Sequence, residues 1–175
     1  MIIPLLLILA QLNLWFGSEP LAVGQPVLVK VRVQPNVDVT GTEFSIEAPD
    51  GLAVETPALR IDEKKEVDWR VKPTAAGRFN LTVQTGDRRY GKTVVVEGRK
   101  LEKVSSLKVK KGIGNELLYP GEKALPGDGQ IRAIEVVHPD RRLALFGLRL
   151  HWLIAYLLLS IVFGFALKRP FRVEI

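Results

Sequence analysis

The residues that could do chemistry are few and scattered. The only histidines are His138 and His151. His138 stands two positions before Asp140, a spacing open to a metal site or an acid–base pair. A polar hairpin turn around His138-Pro-Asp-Arg141 is the simpler reading. His151 flanks a long apolar run, where an imidazole is an ordinary boundary residue. Ser105-Ser106 has no basic partner at a spacing that would activate a hydroxyl. Gly112-Ile-Gly114 lacks the preceding strand and following helix that a phosphate loop requires. Asp62-Glu-Lys-Lys-Glu66 mixes both signs of charge and reads as a solvated loop. Asn80-Leu-Thr82 has the spacing of a glycosylation sequon, which would carry no meaning in a bacterial protein. The chain has no cysteine. That excludes disulfides, thiolate metal sites, cysteine nucleophiles and a lipoprotein cysteine anchor. No catalytic, cofactor-binding or metal-ligating set emerges, so the expectation is a protein that is not an enzyme, with no cofactor and no metal.

The elements that carry these residues fall into blocks. Of the 175 residues, 47% are hydrophobic and 25% are charged, which requires the apolar residues to be segregated. One block fills each end, and the middle reads as an ordinary folded domain. The formal net charge is +6, with much of the basic charge in residues 99–111 and around the C-terminal block. Those positions suit lipid headgroups. They lack the interleaved aromatics of a nucleic-acid surface, so no nucleic-acid partner is expected.

Residues 150–167 carry no Asp, Glu, Lys or Arg. As a helix they would rise about 27 Å, close to the ~30 Å of a bilayer's hydrocarbon core. The expectation is a transmembrane helix over residues 149–168. Trp152 and Tyr156 would lie at one interface with Arg149 and His151, and Lys168, Arg169 and Arg172 at the other. The N-terminal block, residues 2–16, has no Lys or Arg to make it a signal peptide and is short for a complete crossing. It reads as the end of a longer transmembrane helix over residues 1–17 whose beginning lies before Met1, with Trp15 and Phe16 in the interfacial belt. The positive-inside rule puts Lys168, Arg169, Arg172 and the tail at 169–175 in the cytoplasm, and the middle of the chain outside. Arg141, Arg142 and Arg149 on the outer side run against that orientation.

Between the blocks the hydrophobic period is two. Val27, Val29, Val31 and Val33 alternate with Leu28, Lys30 and Arg32; Phe44 and Ile46 alternate with Ser45 and Glu47. Val67, Trp69 and Val71 alternate with Asp68 and Arg70, and Phe79, Leu81 and Val83 with Asn80 and Thr82. Further strands are expected at residues 52–55, 58–61 and 90–96, separated by turns at Pro35-Asn36, Pro49-Asp50-Gly51, Ala76-Gly77 and Gly86-Asp87. About seven short strands of this kind make an immunoglobulin-like β-sandwich over residues 18–98, with Trp69 at its centre. Residues 99–148 read as a basic linker, an interfacial turn at Leu117, Leu118 and Tyr119, and a β-hairpin of residues 131–137 with 142–146.

Two resemblances add to this. Val23-Gly-Gln-Pro-Val27 and Trp69-Arg-Val-Lys-Pro-Thr-Ala-Ala-Gly-Arg-Phe79 resemble stretches of small bacterial immunoglobulin-like modules of cell-surface proteins. Leu117-Leu-Tyr-Pro-Gly-Glu122, Ile131-Arg-Ala-Ile-Glu-Val136, Leu150-His-Trp-Leu153 and the tail from Phe163 to Ile175 look like the C-terminal part of a family of uncharacterised bacterial inner-membrane proteins. The opening from Pro4 to Leu14 fits the same family. The layout of its full-length members resembles the YidC-type insertases and their archaeal relatives. The resemblance implies a bacterial inner-membrane protein with its β-domain on the periplasmic or extracellular side, and supplies no activity.

The function expected is therefore that of a non-enzymatic integral membrane protein. Its extracytoplasmic sandwich would bind a protein partner or brace a membrane assembly, insertase-like in kind. The alternative is a ligand-sensing or transport-accessory component, which would need a sizeable polar pocket in the sandwich.

Overall fold

The computed structural model describes residues 2–98, 102–112, 122–145 and 148–171. The chain forms two compact units, Met1–Pro139 and Asp140–Ile175.

The first unit begins with helix α1 (Ile2–Phe16). Nine strands follow: β1 (Val27–Val33), β2 (Phe44–Glu47), β3 (Leu52–Val54), β4 (Leu59–Ile61), β5 (Glu66–Pro73), β6 (Gly77–Thr85), β7 (Arg88–Val96), β8 (Leu107–Val109) and β9 (Ile131–Val136). A single 3-10 turn, Asp62–Lys64, leads into β5. The strands form two antiparallel sheets. One has the order β3-β5-β1-β9-β8, with β4 also paired to β5; the other is β2-β6-β7.

The period-two pattern explains the pairing. Val29, Val31 and Val33 of β1, Val67, Trp69 and Val71 of β5, and Ile131, Ile134 and Val136 of β9 are buried in the same core cluster as Leu81 and Val83 of β6 and Tyr90, Val94 and Val96 of β7. Side chains from both sheets therefore share one core, which is how antiparallel sheets with one apolar face become stable. β-branched residues fill most of these positions, and their restricted χ1 suits a pleated surface. The β6–β7 hairpin closes with Thr85 opposite Arg88, leaving the two-residue loop Gly86-Asp87. Gly86 has φ +54, the left-handed value needed at the first loop position of a type II′ turn. The seven strands expected from the alternation are all present, and Trp69 is a core residue.

The region expected as linker is part of the fold. Among the described residues β9 does not form a hairpin with residues 142–145. It lies between β1 and β8, with Val31 opposite Ile134 and Lys108 opposite Ile134 on its other side. Ile131, Ala133, Ile134 and Val136 are all buried, so β9 carries too much apolar surface for a solvated hairpin. The expected sandwich boundary at residue 98 is corrected accordingly: the main sheet recruits β8 and β9. The expected interfacial turn at Leu117, Leu118 and Tyr119 lies outside the described residues.

In the second unit, β10 (Arg142–Leu145) pairs with β11 (Leu148–His151), followed by α2 (Trp152–Phe171). Residues 150 and 151, expected as the start of the last helix, belong to this hairpin instead, with Leu150 opposite Leu143 and His151 opposite Arg142. Both helices expected as membrane spans are present as helices, yet among the described residues none is long and apolar enough to cross a membrane. The 15 residues of α1 rise about 22 Å. The apolar part of α2, from Trp152 to Leu167, rises about 24 Å before Lys168, Arg169 and Pro170 take its last turns.

Candidate functional site

The alternation of β7 places Tyr90, Lys92, Val94 and Val96 on one face, and that face is the core. Lys92 is fully buried. Its ammonium contacts the Glu122 carboxylate, whose Oε1 accepts from Nζ. The Ser105 carbonyl oxygen accepts a second hydrogen bond from Nζ at 2.5 Å. The other carboxylate oxygen, Oε2, accepts from the Thr93 amide at 3.3 Å. Three chain segments thus converge on one enclosed ion pair: β7, the residues before β8, and the segment leading to Leu125. Burial pulls the Lys92 ammonium below the ordinary lysine range, and the neighbouring Glu122 charge works against that shift.

Two further basic side chains belong to this cluster. Lys108 projects inward from β8, opposite the buried Ile134, and donates to the Gly91 carbonyl at 2.5 Å. Of the two readings of the basic stretch, a linker strand or a surface on headgroups, Lys108 fits the strand, with its ammonium engaged by the protein. His138 follows β9 and is buried. Its Nδ1 lies 2.8 Å from the Val136 carbonyl oxygen. A carbonyl can only accept, so Nδ1 carries the proton and Nε2 is left as an acceptor. Nε2 is buried with no hydrogen-bond partner among the described residues. Burial pushes the His138 imidazole down to about 4, helped by the charge of Lys92 and opposed by its bond to Val136 and the charge of Glu122. The surface hairpin turn expected at His138-Pro-Asp-Arg141 is therefore not what forms. His138 is a neutral core histidine, and no metal-holding group of acidic and histidine side chains occurs among the described residues.

A second charged group lies on the opposite face of the main sheet. Arg32 faces Glu66 and Lys30 faces Asp68 across the β1–β5 ladder. Glu66 takes both cations, with Lys30 Nζ at 3.7 Å and Arg32 Nε at 3.3 Å, while Arg32 reaches on to Glu135 at 2.6 Å. Asp68 is buried with one oxygen, Oδ1, unpartnered among the described residues. Burial raises its carboxyl to about 6, reinforced by the charge of Glu66. The charge run at residues 62–66 was expected to be a solvated loop. Asp62 and Lys65 fit this, pairing at 2.8 Å on the surface, but Glu66 is buried and opens β5.

The residues expected at a membrane interface are distributed as follows. Trp15 and Phe16 close α1. Arg149 and His151 lie in β11, Trp152 and Tyr156 in the first turns of α2, and Lys168 and Arg169 in its last turns. Arg172 lies outside the described residues. His151 accepts a hydrogen bond at Nδ1 from the Leu153 amide at 3.3 Å, satisfying one of the orphan donors at the start of α2. Trp152 and Ala155 are buried in the second unit. From Tyr156 to Phe165 every side chain is exposed, including Leu157 at 57%, Val162 at 60% and Phe165 at 71%.

The interior lysine has a legible signal in the sequence. Lys92 is in phase with Tyr90, Val94 and Val96, so a strand with that apolar face had to bury it. Nothing at Glu122 marks it as the partner, since it lies 30 residues away with no periodic pattern around it.

No protein family and no curated protein matches this chain. Among solved structures it is similar to domains 4 and 5 of the S-layer protein SbsC. The identity is 16% and the TM-score 0.36, over 47% of this chain and 48% of that one. The match spans about half of that chain's length.

Proposed function

We propose that this chain is a non-enzymatic membrane protein whose α2 helix lies in a bilayer and whose antiparallel β unit stands outside the cytoplasm to bind a protein partner or brace a membrane assembly. The observation that carries the reading is the surface of α2. From Tyr156 to Phe165 it is exposed on every side and almost wholly apolar. A helix apolar all round needs an apolar surrounding, either a protein core or lipid. The apolar stretch falls a few ångströms short of an average bilayer, a mismatch that local thinning and flanking basic and aromatic side chains accommodate at modest cost.

The orientation proposed puts Lys168 and Arg169 at the cytoplasmic face, as the positive-inside rule favours, against Arg149 at the other end. A partner protein is favoured over a small ligand because the two charged clusters described above are held largely by internal pairs. Lys92 is buried against Glu122, and Glu66 and Glu135 are held by Lys30 and Arg32. An immunoglobulin-like sandwich is the topology this reading assigns to the β unit, and an insertase-like complex is the kind of assembly it would brace.

The test is alkaline carbonate extraction of membranes from cells expressing the chain, with protease protection of the β unit. Retention in the membrane pellet and digestion only from the extracytoplasmic side support the proposal. Release into the carbonate supernatant would sink it.

A further inference from the structure

We propose that Lys92 and Glu122 condense into an intramolecular amide that ties β7 covalently to the segment leading to Leu125. This is a modification of the protein by its own side chains, separate from its place in the membrane.

The reactants are already in contact. Lys92 Nζ touches Glu122 Oε1, with the lysine fully buried and the Glu122 side chain 10% exposed. Held together this way, an amine and a carboxyl react as one molecule, with the translational cost already met by the fold. Burial shifts Lys92 in the direction that supplies free amine.

The step balances without a co-reactant. The Nζ lone pair attacks Cδ of the protonated carboxyl and forms a C–N bond. One C–O bond breaks, and the departing hydroxyl takes a proton from nitrogen and leaves as water. No atom changes oxidation state.

The surroundings suit the adduct. The Thr93 amide donates to Oε2 at 3.3 Å, where negative charge gathers in the tetrahedral adduct. His138 feels the charges of both Lys92 and Glu122. Its Nε2 is a buried lone pair with no partner among the described residues. The product stays satisfied, because its N–H still has the Ser105 carbonyl, 2.5 Å from Nζ, as acceptor. The amide replaces a buried ion pair by a neutral group. It also gives a chain without cysteine a covalent brace between β7 and a segment far along the sequence.

Intact-mass spectrometry of the purified full chain, followed by proteolysis and peptide sequencing, tests this directly. The expected mass is lower than that of the sequence by one water. The digest should yield a branched peptide joining the Lys92 and Glu122 segments, with no tryptic cleavage after Lys92. Lys92→Arg and Glu122→Ala should restore the full mass. A wild-type mass equal to that of the sequence, with Lys92 and Glu122 recovered in separate linear peptides, overturns the proposal. So does a water loss that maps instead to Asp50-Gly51 or Asp128-Gly129, where a backbone succinimide would lose the same mass. The wild-type measurement decides the matter even if every variant fails to fold.

Discussion

Asp68 faces Lys30 across the β1–β5 ladder, but the Lys30 ammonium is drawn to Glu66 instead, 3.7 Å away. Asp68 is left buried beside a second carboxylate. Its carboxyl is raised from 3.8 to about 6, so between those values the folded chain holds a proton that the unfolded chain has lost. Stability from this group is complete below 3.8 and is lost as pH rises through about 6. Asp68→Asn, which keeps the shape and removes the charge, should stabilise the protein at neutral pH by about 1 kcal/mol. The shift allows somewhat more, and solvent near the sheet face reduces it. Urea denaturation at neutral and acid pH measures the difference; a variant less stable than wild type at neutral pH would contradict this account.

His138 titrates in the same window with the opposite sign. Its imidazole is lowered from 6.5 to about 4, so the unfolded chain takes up a proton first as pH falls. Its contribution is complete above 6.5 and is lost as pH falls through about 4. In wild type the two slopes offset each other. His138→Gln should expose the Asp68 slope, making the protein more stable at pH 5 than at pH 7. Asp68→Asn should expose the reverse. Parallel pH profiles for the two variants would show that one of these groups is not titrating as described.

Gly51 has φ +105, and a Cβ there would come within 2.4 Å of the Phe79 ring. Gly51→Ala therefore meets a left-handed backbone conformation and a steric clash in the same residue. The expected loss is ~2–3 kcal/mol, the sum of a strained φ and a displaced, partly buried aromatic packed on the core. By contrast Gly24, also at positive φ, has nothing near its absent Cβ. Gly24→Ala should cost only the backbone strain, ~1 kcal/mol. Thermal denaturation of the two variants side by side separates clash from strain.

Removing Glu122 leaves Lys92 buried with no carboxylate. Glu122→Ala should destabilise the β unit by about 3 kcal/mol or more, since an uncompensated charge in a core is among the costliest defects. The double variant Lys92→Met/Glu122→Met replaces both groups by apolar side chains and should be clearly more stable than Glu122→Ala. If the double variant is as unstable as the single one, the damage comes from lost packing and not from the charge.

For α2, Ile161→Arg places a guanidinium in the middle of the exposed apolar stretch. On biological insertion scales a central arginine costs about 2.5–3.5 kcal/mol. The variant should shift from the carbonate-resistant pellet toward the supernatant. Tyr156→Arg, near the proposed interface, should shift far less.

Much of the first unit can be read directly from the sequence. Alternation at Val27–Val33 and Phe79–Val83, together with Gly86-Asp87, specifies strands and a hairpin, because side chains on a strand point to opposite faces by geometry alone. The short apolar run Ile131–Val136 is equally visible as a strand, but its neighbour is not. A strand's partner is chosen by which sheet edge has apolar surface left to cover, and β1 offers that edge about a hundred residues earlier in the chain. The C-terminal apolar block is plain as a helix, yet its start is set by the pairing of Leu150 and His151 with Leu143 and Arg142, which hydropathy does not encode.

What the sequence determined by itself is the strand pattern, the absence of thiol chemistry and the apolar helix at the C-terminal end. These follow from local geometry and composition. Tertiary structure alone decided that Lys92 meets Glu122, that His138 leaves the surface, and that Asp68 loses its register partner to Glu66. Each of these depends on which segments the fold brings together and on how much water it leaves between them. Burial and proximity of charges are properties of the folded arrangement, and no window of sequence carries them.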